Sequence, residues 1–189
     1  MSATDEELVE RYRLGDDDAF EWLVERYGAS ALRFARYLVR DGHLAEEIAQ
    51  DAFVKLVGVV RDGGFDPARG RFASFFFRMV RHLSIDRMRA RSRAPQIAED
   101  LDPQESVGAP DLLLQKERCA QVREIVATLP ERERAAIVLR EFDGLSYKEI
   151  ALALDANIET VKTWIFRARR RIQGSWSEAH AEESRTHGM

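Results

Sequence analysis

Gly144–Ile172 reads GLSYKEIALALDANIETVKTWIFRARRRI, the pattern of two short helices joined by a tight turn, the second strongly basic. Ser146 followed three residues later by Glu149 is a capping box: the hydroxyl satisfies a free amide at the helix start, and the carboxylate reaches back to the serine N–H. Ile150, Ala151 and Leu154 then supply a small apolar face. Asp155-Ala156-Asn157 interrupts the pattern with residues that tolerate a left-handed backbone, and Asn157 is placed to cap the next helix. In that second helix Val161, Ile165, Ala168 and Ile172 recur at helical steps and predict one buried stripe. Burying it turns Thr163, Phe166, Arg167 and Arg170 outward, flanked by Lys162 and Arg169. Cations, a hydroxyl and an aromatic on one exposed helix face suit a DNA major groove, where they meet phosphates, guanine edges and thymine methyls. A basic amphipathic helix alone also fits a solvated face, a membrane surface or a partner. The capped helix and short turn ahead of it are what point to a helix-turn-helix.

The rest of the chain bounds this reading. Its 189 residues suffice for one compact domain or two small ones, and 45% hydrophobic with 33% charged residues fits a soluble helical protein. The net charge of −4 does not announce a nucleic-acid binder, but its distribution does. Arg69, Arg71, Arg78, Arg81, Arg87, Arg89, Arg91 and Arg93 are opposed only by Asp86, and Lys162–Arg171 forms a second basic block. Two basic islands in an otherwise acidic chain suggest two contacts with a polyanion. The single cysteine, Cys119, excludes an internal disulfide and a multi-thiolate zinc site, and the histidines are scattered, so neither metal nor cofactor is expected. The acidic start MSATDEELVE has no signal region and no apolar run reaches membrane length, so a cytoplasmic chain without membrane insertion is expected.

Along the chain, Thr4 is a candidate cap for a first helix that Gly15 ends, and Asp16–Asp18 restart a second carrying Phe20, Leu23, Val24, Tyr27, Leu32, Ala35 and Leu38. Gly42 is read as the next break. A third helix from about Leu44 buries Ile48, Ala52, Phe53 and Leu56, leaving Glu46, Glu47, Gln50 and Asp51 outward; by itself such an acidic face is only a solvated surface. Gly63–Gly70 is a loop rich in breakers. The helix from about Ser74 to Arg91 combines Phe72, Phe75, Phe76 and Phe77 with recurring arginines. Its stripe Phe72, Phe76, Val80 and Leu83 is read as core, leaving Phe75, Arg78, His82 and Arg89 with outward components. Rings among cations match single-stranded DNA, where bases stack while the backbone is tracked electrostatically. Residues 94–111 lose all pattern and read as an acidic linker. Helicity resumes near Leu112, Pro130 opens another helix, and the residues after Gly174 read as a polar, frayed tail. The expected fold is all-α: two small helical domains joined by an acidic flexible linker, spanning 1–93 and 112–174, the second a helix-turn-helix, with a tail at 175–189.

Taken in order, DAFEWLVERY, AEEIAQDAFVKL, RFASFFFRMVRHLSIDRMRAR and ATLPERERAAIVLREFDGLSYKEIA…TVKTWIFRARRRI resemble the extracytoplasmic-function (ECF) sigma factors of bacterial RNA polymerase over roughly Glu6–Ile172. The resemblance implies that Glu47, Gln50, Asp51 and Lys55 dock on core polymerase, which the family engages through its clamp and flap. It implies that Arg71, Phe72, Ser74, Phe75, Arg78 and His82 serve minus-ten recognition and melting, and that Thr160, Lys162, Thr163, Phe166, Arg167 and Arg170 read the minus-thirty-five element. Expected partners are core polymerase, promoter DNA as duplex and melted strand, and an anti-sigma factor. His82, Trp164 and Asp155 depart from common family residues (asparagine, arginine and glycine) and put the promoter sequence in question. The alternatives are a stand-alone helix-turn-helix regulator, which has no use for an arginine–phenylalanine helix, and a metal-dependent nuclease, for which no carboxylates converge with a histidine.

Overall fold

A computed structural model of the chain describes residues 3–93 and 120–186, and all regular structure in them is helical. The expected acidic linker at 94–111 lies outside the described residues, as does Cys119. The N-terminal half contains α1 (Asp5–Arg13), α2 (Asp17–Val39), α3 (Gly42–Arg61), a 3-10 turn at Pro67–Arg69 and α4 (Phe72–Arg93). The C-terminal half contains α5 (120–128), α6 (Glu131–Glu141), α7 (Tyr147–Ala153) and α8 (Ile158–Thr186).

Local chemistry sets the boundaries. Thr4 caps α1 through a full capping box: its hydroxyl accepts the Glu7 N–H at 3.2 Å and the Glu7 carboxylate accepts the Thr4 N–H at 2.8 Å. Gly15, at φ +100°, ends that segment as expected. The break before α3 falls elsewhere. Arg40 takes the left-handed cap of α2 at φ 60°, and Gly42 is the first residue of α3. The reason is Asp41, whose carboxylate accepts the Leu44 N–H at 2.9 Å and so starts the helix immediately after itself.

Asp41 also pairs with Arg91 near the far end of α4. The Leu44 N–H and the Arg91 guanidinium together hold its carboxyl below the ordinary aspartate value of 3.8. A depressed folded-state pKa contributes stability that is complete above the unfolded value and is lost as pH falls through the folded one. Urea melts from about pH 6 down to about pH 2 should therefore show an acid limb that Asp41→Asn flattens, since asparagine keeps the cap but cannot titrate. Identical acid limbs would dismiss that assignment.

The N-terminal core is aromatic. Phe34, Phe72, Phe76 and Phe77 are fully buried among Leu23, Leu38, Ile48 and Leu56. The Tyr27 ring meets Phe72, Phe76 and Phe77 edge-on at 5.2–6.1 Å, while its hydroxyl donates to Asp5. Burial, followed by the Asp5 carboxylate, drives that phenol's pKa far above its ordinary value. Thus α1 is tied across α2 by a polar tip on an apolar ring. The stripe read from sequence is present, with Leu83 half-buried at its margin; Val24, expected with the apolar set of α2, is exposed.

In the C-terminal half, α6 is the hub. Ala135–Leu139 are buried, and Arg134 is buried with them. Its guanidinium donates to the carbonyls of Ala127 and Leu129 at 2.9 and 3.0 Å, satisfying the end of α5 that would otherwise be left orphaned. Past Gly174, where a frayed tail was expected, α8 continues as helix to Thr186. One glycine costs only about 1 kcal/mol relative to alanine, too little to stop a helix whose flanks favour it.

Candidate nucleic-acid interface

The helix-turn-helix forms as the local signals dictate. The Ser146 hydroxyl accepts the Glu149 N–H at 3.3 Å and the Glu149 carboxylate accepts the Ser146 N–H at 2.8 Å. Burial alone would raise the Glu149 carboxyl; the Ser146 hydrogen bonds and the Arg71 charge outweigh it and hold it low. Asp155 supplies the turn at φ 51°, and Asn157 caps α8 by accepting the Thr160 N–H at 2.7 Å. Val161, Ile165 and Ala168 are buried and Ile172 half-buried, which is the expected stripe.

The opposite face of α8 is open. Lys162, Thr163, Phe166, Arg167 and Arg170 are exposed, Phe166 at 62%. Thr163, Phe166, Arg167 and Arg170 line one shallow groove with Arg171, and Arg170 lies over the Phe166 ring at 6.0 Å. Thr160 is half-buried at the base of the helix, beside Trp164 and Arg78. Lys162 is paired with Glu159 at 2.7 Å. Arg169, expected to flank the reading face, instead anchors α8 to α6 through Glu141 at 2.7 Å, a hydrogen bond that lifts its pKa. Trp164 is half-buried with Arg132 over its ring at 5.5 Å.

The α4 surface is built by the turn ahead of it. Asp66 caps the 3-10 turn through the Ala68 N–H, and Phe65 is buried against Phe72 and Phe75 at 5.8 and 5.3 Å. Beside them lies a cavity of about 90 Å³ lined by Gly64, Phe65, Arg71, Ser74, Phe75 and Arg78, among others. Phe75 and Arg78 are half-buried, and Arg71 and His82 exposed. Phe72 and Ser74 differ from the rest of that expected set. Phe72 is fully buried, its N–H donating to Glu6 at 3.1 Å, so it supports the surface from beneath. Ser74 is 2% exposed, and its hydroxyl has no hydrogen-bond partner among the described residues, an unusual state for a buried polar atom.

The expected docking face of α3 is a separate surface. Glu47, Gln50 and Lys55 are exposed, and Asp51 is half-buried and paired with Arg87 of α4. Val54, 72% exposed among them, was missed, although its position off the buried stripe of Ile48, Ala52 and Leu56 was legible. Arg81, counted in the basic island, is instead 9% exposed and lies 3.6 Å from Asp155 and 3.9 Å from Glu131. Among the described residues no group of histidine, cysteine or carboxylate side chains is placed to hold a metal, and no helix is long and apolar enough to cross a membrane.

Comparison with known proteins accounts for both halves. Residues 23–94 match sigma-70 region 2 and residues 119–172 match sigma-70 region 4. The chain is 34% identical to the RNA polymerase sigma-H factor of Pseudomonas aeruginosa over 179 residues, covering 89% of this chain and 91% of that one. It is likewise 34% identical to the ECF RNA polymerase sigma-E factor of Escherichia coli, covering 89% and 92%. Among solved structures, the sigma factor RpoE of Bartonella quintana has the same fold at a TM-score of 0.68 and 22% identity, over 84% of this chain and 96% of that one. With an exposed, capped basic helix in one half, an arginine–phenylalanine helix in the other, and relatives matched nearly end to end, the chain belongs to the ECF sigma factors, the alternative promoter-specificity subunits of bacterial RNA polymerase.

Proposed function

We propose that the two halves divide the promoter between them. The observation that carries this reading is the exposed groove of Thr163, Phe166, Arg167 and Arg170, set on a helix whose other side is locked into the domain. In this reading α8 enters the major groove at the minus-thirty-five element: Arg167 and Arg170 meet phosphates and guanine edges, and Thr163 and Phe166 meet thymine methyls. Lys162 and Thr160 fix the helix on the backbone.

Phe75, Arg71, Arg78 and His82 form the minus-ten surface. Phe75 and the adjoining cavity accept an unstacked base while the cations hold the strand. Phe72 and Ser74 shape that site from below. Glu47, Gln50, Asp51 and Lys55 dock the α3 face on core polymerase, and Val54 adds an apolar centre to the patch. The chain supplies no chemistry of its own. It acts by binding, and strand opening is driven by bases captured once they leave the stack. Control by an anti-sigma factor accords with the Bartonella quintana relative, solved as a complex with the anti-sigma factor NepR.

The test is abortive RNA synthesis from a pool of promoter duplexes with core polymerase, this chain, or both. RNA is expected only when both are present. Tight duplex binding that ignores core, with no RNA from any promoter, would instead make the chain a stand-alone helix-turn-helix regulator.

A further inference from the structure

Arg132, in the first turn of α6, is a cation that the fold holds in place without neutralising it. The other arginines of that helix are committed to the domain. Arg134 donates to the carbonyls of Ala127 and Leu129, and Arg140 to the Leu145 carbonyl at 2.8 Å while lying over the Tyr147 ring. The carboxylates on either side of Arg132 face other cations: Glu131 lies 3.9 Å from Arg81, and Glu133 pairs with Arg171 at 3.1 Å. Among the described residues no carboxylate pairs with Arg132, whose side chain is exposed. Its position is also unfavourable for the helix, because a cation in the first turn opposes the helix dipole. What fixes it is the Trp164 ring, 5.5 Å below the guanidinium. A ring orients a cation through its π face but leaves the full charge and the N–H edges available to a third party.

The place where it is held gives that charge a use. Trp164 lies one helical turn from Thr160 on one side and from Arg167 on the other, so it borders the exposed face of α8. Arg132, Thr160, Asn157 and Trp164 share a shallow cavity of about 440 Å³ with Arg78 and Asp155, among others. The one carboxylate among these, Asp155, is taken up by Arg78, Arg81 and His82 at 3.8, 3.6 and 3.0 Å. We propose that Arg132, stationed on Trp164, clamps a phosphate of the duplex that α8 reads. This rests on the assignment of α8 to the minus-thirty-five element. The clamp comes from α6, outside the helix-turn-helix, and adds a second element to the DNA footprint. Because every sequence offers the same phosphates, it contributes affinity and register without choosing bases. Trp164 is a positioning residue: it touches the DNA through the arginine that it holds.

The experiment uses holoenzyme reconstituted from the full chain and core polymerase. It is bound to a promoter duplex recovered from the randomised pool, and to the same duplex with each minus-thirty-five position changed in turn, across a salt series. Arg132→Ala should weaken binding about tenfold, by the same factor on every duplex, as expected for one lost hydrogen bond to a charged group. The slope of log affinity against log salt should become shallower by about 1, the signature of one phosphate contact. Trp164→Leu keeps an apolar side chain at the helix edge and should cost a similar factor, with the double variant no weaker than either alone. Wild-type affinity and slope for Arg132→Ala would overturn the proposal. A loss confined to particular minus-thirty-five sequences would do so too, since it would mark a base contact. Additive losses in the double variant would overturn the holding role of Trp164. Arg167→Ala judges the underlying assignment. If that variant also binds every duplex as the wild type does, α8 does not read the minus-thirty-five element; if it loses affinity while Arg132→Ala does not, the clamp alone fails.

Discussion

Phe76→Ala should destabilise the protein by about 3–5 kcal/mol, the range for deleting a buried phenylalanine. Its ring is fully buried and touches Tyr27, Phe53, Phe72 and Phe77, so the neighbours cannot collapse into the space without losing their own contacts. A domain of this size is stable by only about 5–15 kcal/mol, and the variant should unfold at markedly lower urea. Urea melts followed by circular dichroism measure this directly. A loss under about 1 kcal/mol would mean the aromatic cluster is not the keystone of the N-terminal half.

The neighbouring residue should behave in the opposite way. Phe75 is half-buried, and its truncation should cost only about 1–2 kcal/mol of stability. In promoter opening with core polymerase, Phe75→Ala should lose about 5- to 150-fold, the equivalent of a base–aromatic stack worth about 1–3 kcal/mol. Opening is followed by abortive RNA synthesis at a temperature where both proteins are folded. If Phe75→Ala opens promoters at the wild-type rate, the ring is packing and nothing more. Two adjacent phenylalanines, one failing by unfolding and one by function, separate the core of α4 from its working face.

The features legible in the sequence were those that local spacing fixes. Ser146 and Glu149 had to cap if α7 was a helix at all, because the capping box is a hydrogen-bond pattern with a set separation. The stripe of Val161, Ile165 and Ala168 likewise follows from helical periodicity. Pairings across the fold were hidden. Arg33 and Asp143, or His82 and Asp155, meet across long stretches of chain and leave no period to read. Asp155 was legible as a turn residue and illegible as a partner. Arg134 hid for another reason: a cation among the charges of a helix's first turn reads as solvent-facing, yet its long stem is buried and its donors end a neighbouring helix. Gly42 and Gly174 misled because glycine permits a break without compelling one, and Asp41 beside the first decided the matter.

The length of α8 has a mechanical meaning. It is one helix from Ile158 to Thr186, so Thr186 is not free to turn independently of the exposed basic face that carries Arg167. Each residue adds 1.5 Å and about 100° of rotation, which places the backbone at Thr186 about 30 Å beyond Arg167 at a fixed azimuth to it. A load gripping Thr186 would reach the groove of Thr163, Phe166, Arg167 and Arg170 as torque, as through a shaft. The shaft has one soft point, Gly174, where helix propensity is poorest by about 1 kcal/mol relative to alanine, and there it would yield first.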